Sequence, residues 1–229
     1  MKYRTLQGAG YAAVLSIFFC ACSPSSEGGD SGADSQDLVD SGTHFDGESF
    51  DGWEGNMDMF RIENGAIVAG TLDDPIPNNE FLCTLSDYDD FELRLEFRLL
   101  GGEAANAGVQ FRSQRIPDHH EVIGYQADMG DGWWGALYDE SRRNRILAEP
   151  DSAGVAEALD RDGWNEYVIR ADGPRIRLAI NGYQTIDYTE AEDDIPQTGK
   201  ICVQIHSGPP SEAWYRNISI AEASSATTP

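Results

Sequence analysis

Between Phe91 and Leu99 the chain reads FELRLEFRL, in which Phe91, Leu93, Leu95, Phe97 and Leu99 alternate with Glu92, Arg94, Glu96 and Arg98. Successive side chains of an extended strand point to opposite faces, so this stretch predicts a strand with one buried and one solvated side. The pattern returns at Ile176, Leu178 and Ile180, which alternate with Arg175, Arg177 and Ala179. Asn181-Gly182 then turns the chain into Tyr183–Tyr188, and Asn64-Gly65 does the same between Met59–Glu63 and Ala66–Gly70. Asn-Gly tolerates the positive backbone angles of a type I′ hairpin, whose twist matches that of paired strands.

Further strands are predicted at 81–85, 108–113, 121–128, 134–138, 164–171, 200–206 and 214–221, while helical periodicity is confined to Ala153–Leu159. Strands without helices to cover them must bury their apolar faces against one another. The predicted fold is therefore all-β, a jelly-roll β-sandwich of two antiparallel sheets, with a closed barrel as the alternative. No internal repeat points to a propeller.

The chain is 229 residues long, with 40 acidic against 16 basic side chains and a formal net charge of −24. Such a surface repels phosphate backbones and anionic lipid, which excludes nucleic acid and peripheral docking on acidic membrane. Sugars, cations and uncharged polymers remain as partners. No apolar run is long enough to span a bilayer.

Residues 1–22 have the layout of a secretory signal: Lys2 and Arg4, an apolar stretch Tyr11–Phe19, then Cys20-Ala21-Cys22. Their end resembles a bacterial lipobox with Cys22 as the acylated residue, because small Ala21 precedes Cys22 whereas bulky Phe19 precedes Cys20. Ordinary signal cleavage nearby is the competing reading. Residues 23–42 hold Glu27, Asp30, Asp34, Asp37 and Asp40 among Ser and Gly and read as an acidic tether. The sandwich is expected at 43–222, and 223–229 as a disordered tail. Cys83 and Cys202 are the two cysteines beyond the signal; a disulfide and two free strand thiols both fit.

The same alternation shows which side chains point away from the core. With Val109 and Phe111 inward, Gln110 and Arg112 share the other face; with Ile201, Val203 and Ile205 inward, Cys202, Gln204 and His206 do so. Gln126 and Asp128 lie together on the face opposite Tyr125 and Ala127. If these outer faces belong to one curved sheet, they form a polar floor suited to sugar hydroxyls, with aromatic platforms for the rings. Next comes DMGDGWWGALYDESRRNR (Asp128–Arg145), with Trp133 and Trp134 on a glycine-flanked bend, Tyr138, Asp139, Glu140, and the basic cluster Arg142, Arg143 and Arg145. Each feature has a structural alternative: Arg112 as a surface ion pair, the arginine cluster as an ion-pair network, the tryptophans as a plug at the sandwich edge. His119-His120 reads as a pair of solvated loop residues. Asp128 and Asp131 offer oxygens to a divalent cation such as Ca²⁺, although no EF-hand or zinc spacing exists.

Taken together, FDG…GW (45–53), DFELRLEFR (90–98), GVQFRS (108–113), GYQADMGDGWWGALYDESRR (124–143), WNEYVI (164–169), INGYQTIDY (180–188) and VQIHSGPP (203–210) resemble the 3-keto-disaccharide hydrolase family. The resemblance implies a concanavalin A-like sandwich, secretion, and action on glycosides oxidised to a ketone at C3. One departure stands out: many members carry Gly-Tyr-Glu-x-Gln where this chain has Gly124-Tyr125-Gln126-Ala127-Asp128, so the acid's role passes to Asp128.

A C3 ketone acidifies the hydrogen on C2 and opens a route that ordinary glycosidases, with two carboxylates and an oxocarbenium-like transition state, do not use. A base takes the C2 proton, an enolate forms, the C1 aglycone leaves by β-elimination, and water adds afterwards. This chemistry needs a base, a positive group at the C3 oxygen and an acid for the leaving oxygen. The expected assignment is His206 or Asp128 as base, Arg112 or Arg143 at the enolate and Glu140 as acid. Gln110, Gln126, Gln204, Tyr125, Trp133, Trp134, Tyr138 and Arg142 are expected against the sugar. A non-catalytic carbohydrate-binding module, a lyase that stops at the glycal and a two-carboxylate glucanase are the alternatives.

Overall fold

The structure, a computed structural model, describes residues 38–223, with side chains over 44–222. Cys22, the signal-like segment, the rest of the tether up to residue 37 and the tail from 224 lie outside the described residues.

The strands follow in chain order as β1 (Leu38–Thr43), β2 (Trp53–Glu54), β3 (Phe60–Glu63), β4 (Ala66–Thr71), β5 (Glu80–Thr84), β6 (Phe91–Leu100), β7 (Asn106–Arg115) and β8 (Val122–Gly130). They continue as β9 (Leu137–Glu140), β10 (Arg145–Ala148), β11 (Asn165–Asp172), β12 (Arg175–Ile180), β13 (Tyr183–Thr189), β14 (Lys200–Ile205) and β15 (Ser211–Ala223), with one short helix, α1 (Ser152–Ala158). Among the described residues one sheet runs β13-β12-β11-β6-β15-β4-β3, with β1 also on β15, and the other runs β10-β9-β8-β7-β14-β5-β2. Every pairing is antiparallel. The expected two-sheet sandwich is what forms. Its first strand starts at Leu38, inside the segment read as tether, because the backbone of β1 pairs with the long β15.

Alternation sets the layers. Phe91, Leu93, Leu95 and Phe97 of β6 and Tyr167, Ile169 and Ala171 of β11 meet Val109 and Phe111 of β7, Ala127 and Met129 of β8, and Ile201, Val203 and Ile205 of β14 in one apolar core. Each such large side chain contributes about 1.5–3 kcal/mol by leaving water. Both Asn-Gly turns carry the positive angles expected of them, φ 52° and 74° at 64–65 and φ 50° and 80° at 181–182. The expected strand at 134–138 starts later, at Leu137, since the backbone from Asp131 to Gly135 is spent on a turn in which Gly135 donates to the Asp128 carbonyl at 3.0 Å. Asp151 caps α1 through its carboxylate, which accepts from Gly154 at 3.0 Å.

Two further features hold the strands in place, the first within one sheet and the second between the two. Cys202 pairs with Cys83 across β14 and β5, and the two sulfurs form a disulfide. Residues 111–114 of β7 slip against β8 in a bulge, and Arg112 takes φ 48° there. The bulge reverses the expected side: the Arg112 side chain is fully buried and donates to the carbonyls of Asp89 (2.9 Å) and Gly173 (2.7 Å), to Gln197 Oε1 (2.5 Å) and to Asp90 Oδ1 (3.0 Å). Gly199 lets the neighbouring chain approach, because a Cβ there would lie 2.6 Å from the Arg112 carbonyl carbon. Arg112 is thus a clasp between the sheets, and its burial lowers its pKa. Replacing it strands several buried acceptors. Arg112→Ala is expected to lose about 2–4 kcal/mol in urea unfolding, while activity per folded molecule stays at the wild-type value.

Candidate functional site

β7, β8, β9 and β14 are neighbours in one sheet, so the polar faces read from the sequence share a surface. On β8, Gln126 and Asp128 face outward because Tyr125 and Ala127 are in the core; on β9, Tyr138 and Glu140 face outward because Leu137 is in the core and Asp139 is buried beside it. The register sets Tyr138 opposite Gln126 and Glu140 opposite Gly124. His206 follows the last residue of β14, its amide donating to the Asn106 carbonyl at 3.1 Å. Together with Trp133, Asn79, Asn106 and Ser207 these residues line a cleft of about 330 Å³.

An ordered amide chain runs from beneath the cleft into its floor. Gln110 Nε2 donates to Gln126 Oε1 at 2.5 Å, and Gln126 Nε2 donates in turn to Asp128 Oδ1. Gly108, paired with Asp128, makes the space: a Cβ there would come within 2.8 Å of the Gln126 side chain. Tyr167 and Tyr215 cross the core from the other sheet and donate to backbone beneath the site, at the Asp128 carbonyl (3.5 Å) and the Gln204 carbonyl (2.6 Å).

The electrostatics favour proton transfer. Burial raises Asp128 to a pKa of about 8; the Gln126 amide acts downward and the Glu140 charge upward. Burial also raises Glu140, with Glu121 adding to the rise and His206 opposing it. The Tyr138 phenol is raised by burial and then by the Glu140 and Asp128 charges. His206 Nδ1 lies 2.6 Å from the Ser207 carbonyl, an acceptor, so Nδ1 carries a proton and Nε2 is left to serve the cleft. Two carboxyls shifted towards neutrality beside an imidazole form a constellation suited to general acid–base chemistry. Above them the Trp133 ring, 39% exposed, meets Tyr138 edge-on with centroids 6.1 Å apart.

Of the residues singled out in the sequence, His206, Asp128, Glu140, Gln126, Trp133 and Tyr138 line this cleft. Gln110 and Gln204 lie fully buried outside its lining. Arg112 is held in the clasp described above. Tyr125 belongs to the core, where its hydroxyl donates to Glu190 Oε2 at 2.7 Å, since alternation turns it away from Gln126. Arg142 and Arg143 form an ion-pair network, as their spacing of three and four residues from buried Asp139 dictates. Arg142 Nε donates to Asp139 Oδ1 at 2.9 Å and its guanidinium lies 4.8 Å from the Tyr125 ring centre, while Arg143 bonds Glu190 at 2.7 Å. Burial pushes the Glu190 pKa up, but Arg143 and Tyr125 outweigh it and bring the pKa to about 2. Trp134 plugs the sandwich, stacked on Phe97 at 6.2 Å.

Asp131 binds Trp134 and Arg161 instead of joining Asp128. Among the described residues no group of three or more His, Cys, Asp and Glu side chains is arranged to hold a metal ion. Asn106 was within reach of the sequence, as the alternation of Gly108 and Gln110 continues back to it. Asn79 was not: it sits in a loop and enters through Ser207, whose amide donates to Asn79 Oδ1 at 2.9 Å.

Similar structures include a Bacillus subtilis protein of unknown function with a galectin-like fold (11% identity, 81% of this chain and 98% of that one, TM-score 0.60). A Parabacteroides distasonis protein provisionally classed as a glycosyl hydrolase matches at 17% identity over 78% of this chain and 91% of that one, with TM-score 0.58. The carbohydrate-binding module CBM66 of B. subtilis matches at 12% identity over 75% and 96%, with TM-score 0.53. The chain belongs to the family of 3-keto-α-glucoside-1,2-lyase-like domains, whose model matches residues 40–221. No curated protein matches it.

The buried carboxyl has a measurable cost. Folded Asp128 keeps its proton up to about pH 8, whereas an unfolded aspartate releases it near the ordinary 3.8. The folded state therefore binds more protons across that window, and stability falls as pH rises through it. Asp128→Asn is expected to raise the melting temperature by roughly several degrees at pH 8 and to leave it unchanged near pH 4. Gln126→Leu removes the bond that favours the carboxylate and is expected to move the Asp128 titration above 8, read by carbon-13 NMR of the carboxyl.

Proposed function

We propose that this protein cleaves glycosides whose C3 hydroxyl has been oxidised to a ketone, and that it acts first as a lyase across C1 and C2. The carrying observation is the pair Asp128 and Glu140, both shifted upward, sharing one cleft with His206. Membership of the lyase-like family supports the substrate class.

Asp128 takes the proton from C2, and the C–H electron pair moves into an enolate on the C3 oxygen. Collapse of the enolate forms the C1–C2 double bond and breaks the bond from C1 to the aglycone oxygen, which Glu140 protonates. Water added across the double bond completes net hydrolysis. With Arg112 and Arg143 engaged elsewhere, the enolate oxygen is served by the Asn79 and Asn106 amides in the cleft lining, while His206, with its proton on Nδ1, offers Nε2 as an acceptor to a sugar hydroxyl.

The expected setting is outside the cytoplasm, with Cys22 as a lipid anchor. The Cys83–Cys202 disulfide supports this, because such bonds persist in oxidising compartments.

The test is incubation with a 3-keto-glucoside and with its unoxidised parent, followed by mass analysis of the products. Cleavage of the oxidised sugar alone is expected. Asp128→Asn is expected to lower kcat by about a hundredfold or more. Cleavage of the unoxidised glycoside, or binding with no turnover of either sugar, refutes the proposal.

A further inference from the structure

A second groove, of about 360 Å³, lies against the other side of the turn that carries Trp133. Most of its lining is apolar, with Trp134 and Ala136 from that turn, Ile146 from β10, and Val155 and Leu159 from α1 and its C-terminal cap; Glu149, Ser152 and Arg161 are its polar members. Trp133 lines this groove and the candidate cleft alike, so one partly exposed indole forms a wall shared by the two spaces. The indole is fixed by its edge-on contact with Tyr138 and by the turn, in which Trp133 accepts from the Ala136 amide at 2.9 Å.

Resting on the reading above, we infer that this groove receives the aglycone and that the preferred aglycone is an uncharged aromatic or similarly flat apolar group. A sugar ring seated in the cleft has one bond that must break, from C1 to the aglycone oxygen, so whatever the protein releases needs a space bordering the cleft. The groove supplies that space at a volume suited to a single ring system. Against its apolar walls the groove sets only Glu149, Ser152 and the Asp131-bound Arg161, so a second sugar would leave most of its hydroxyls unpaired, whereas an aryl group would bury its faces on indole and aliphatic carbon. Charge adds a restriction. Glu149 stands at the rim and Arg161 is already bound to Asp131, so an anionic aglycone meets repulsion with no free cation to offset it.

The test compares three 3-keto-glucosides whose leaving groups are all primary alkoxides, so intrinsic reactivity is closely matched. The aglycones are methyl, benzyl and glucose linked through its C6 oxygen. Benzyl is expected to exceed methyl in kcat/KM by about tenfold or more, as burial of one ring predicts, and to exceed the disaccharide as well. Ala156→Trp, at an exposed position of α1 on the groove wall, is expected to fill the space, abolish the benzyl advantage and leave methyl turnover unchanged. Equal rates for methyl and benzyl, a preference for the disaccharide, or a benzyl advantage that survives Ala156→Trp overturns the aglycone assignment while leaving the lyase reading intact. Absence of turnover with all three overturns both.

Discussion

The contact between the apolar faces of the two sheets is the interaction on which the rest depends. Once Phe91, Leu93, Leu95 and Phe97 of one sheet pack against Val109, Phe111, Ala127 and Val203 of the other, every neighbour in sequence is committed to the opposite side. A one-residue slip of β8 would bury Gln126 and Asp128 among hydrocarbon and expel Tyr125 and Ala127. The energy of the core therefore holds the polar constellation in place, although none of its members contributes to that core. Tyr167 and Tyr215 strengthen the coupling, because their hydroxyls reach through the sandwich to the backbone that carries Asp128 and Gln204.

Alternation made much of the cleft legible. Gln126, Asp128 and His206 were placed on one side by their apolar neighbours alone, and the strands that carry them, β8 and β14, flank β7 in one sheet. Arg112 shows where this reading ends. By alternation it belongs beside Gln110, but the register between Phe111 and Gln114 shifts by a bulge, and that shift depends on partner strands far away in sequence. The same holds for Cys83 and Cys202, whose meeting is settled by the pairing of β14 with β5 over a separation of 119 residues.

Arg142 and Arg143 went astray for a different reason. A cationic cluster beside Trp133 and Glu140 looks catalytic in a chain of net charge −24. Asp139, however, faces inward from β9 and is fully buried, and a buried carboxylate needs its counter-ions close by. The arginines are consumed by structure, and the donors left in the cleft lining are neutral amides. Asn79 could be found only after folding, since its loop has no periodicity to read.

The fixed direction of the Gln110–Gln126–Asp128 chain has a stereochemical consequence. With Oδ1 occupied by the Gln126 amide, one oxygen of the carboxylate remains to exchange a proton, and a ring bound in the cleft would meet it from one side. Under the proposed chemistry the atom that removes hydrogen from C2 is also the atom that returns it after water has added at C1. Delivery to that side regenerates the original configuration, so the liberated sugar retains its handedness at C2 and no epimer accumulates.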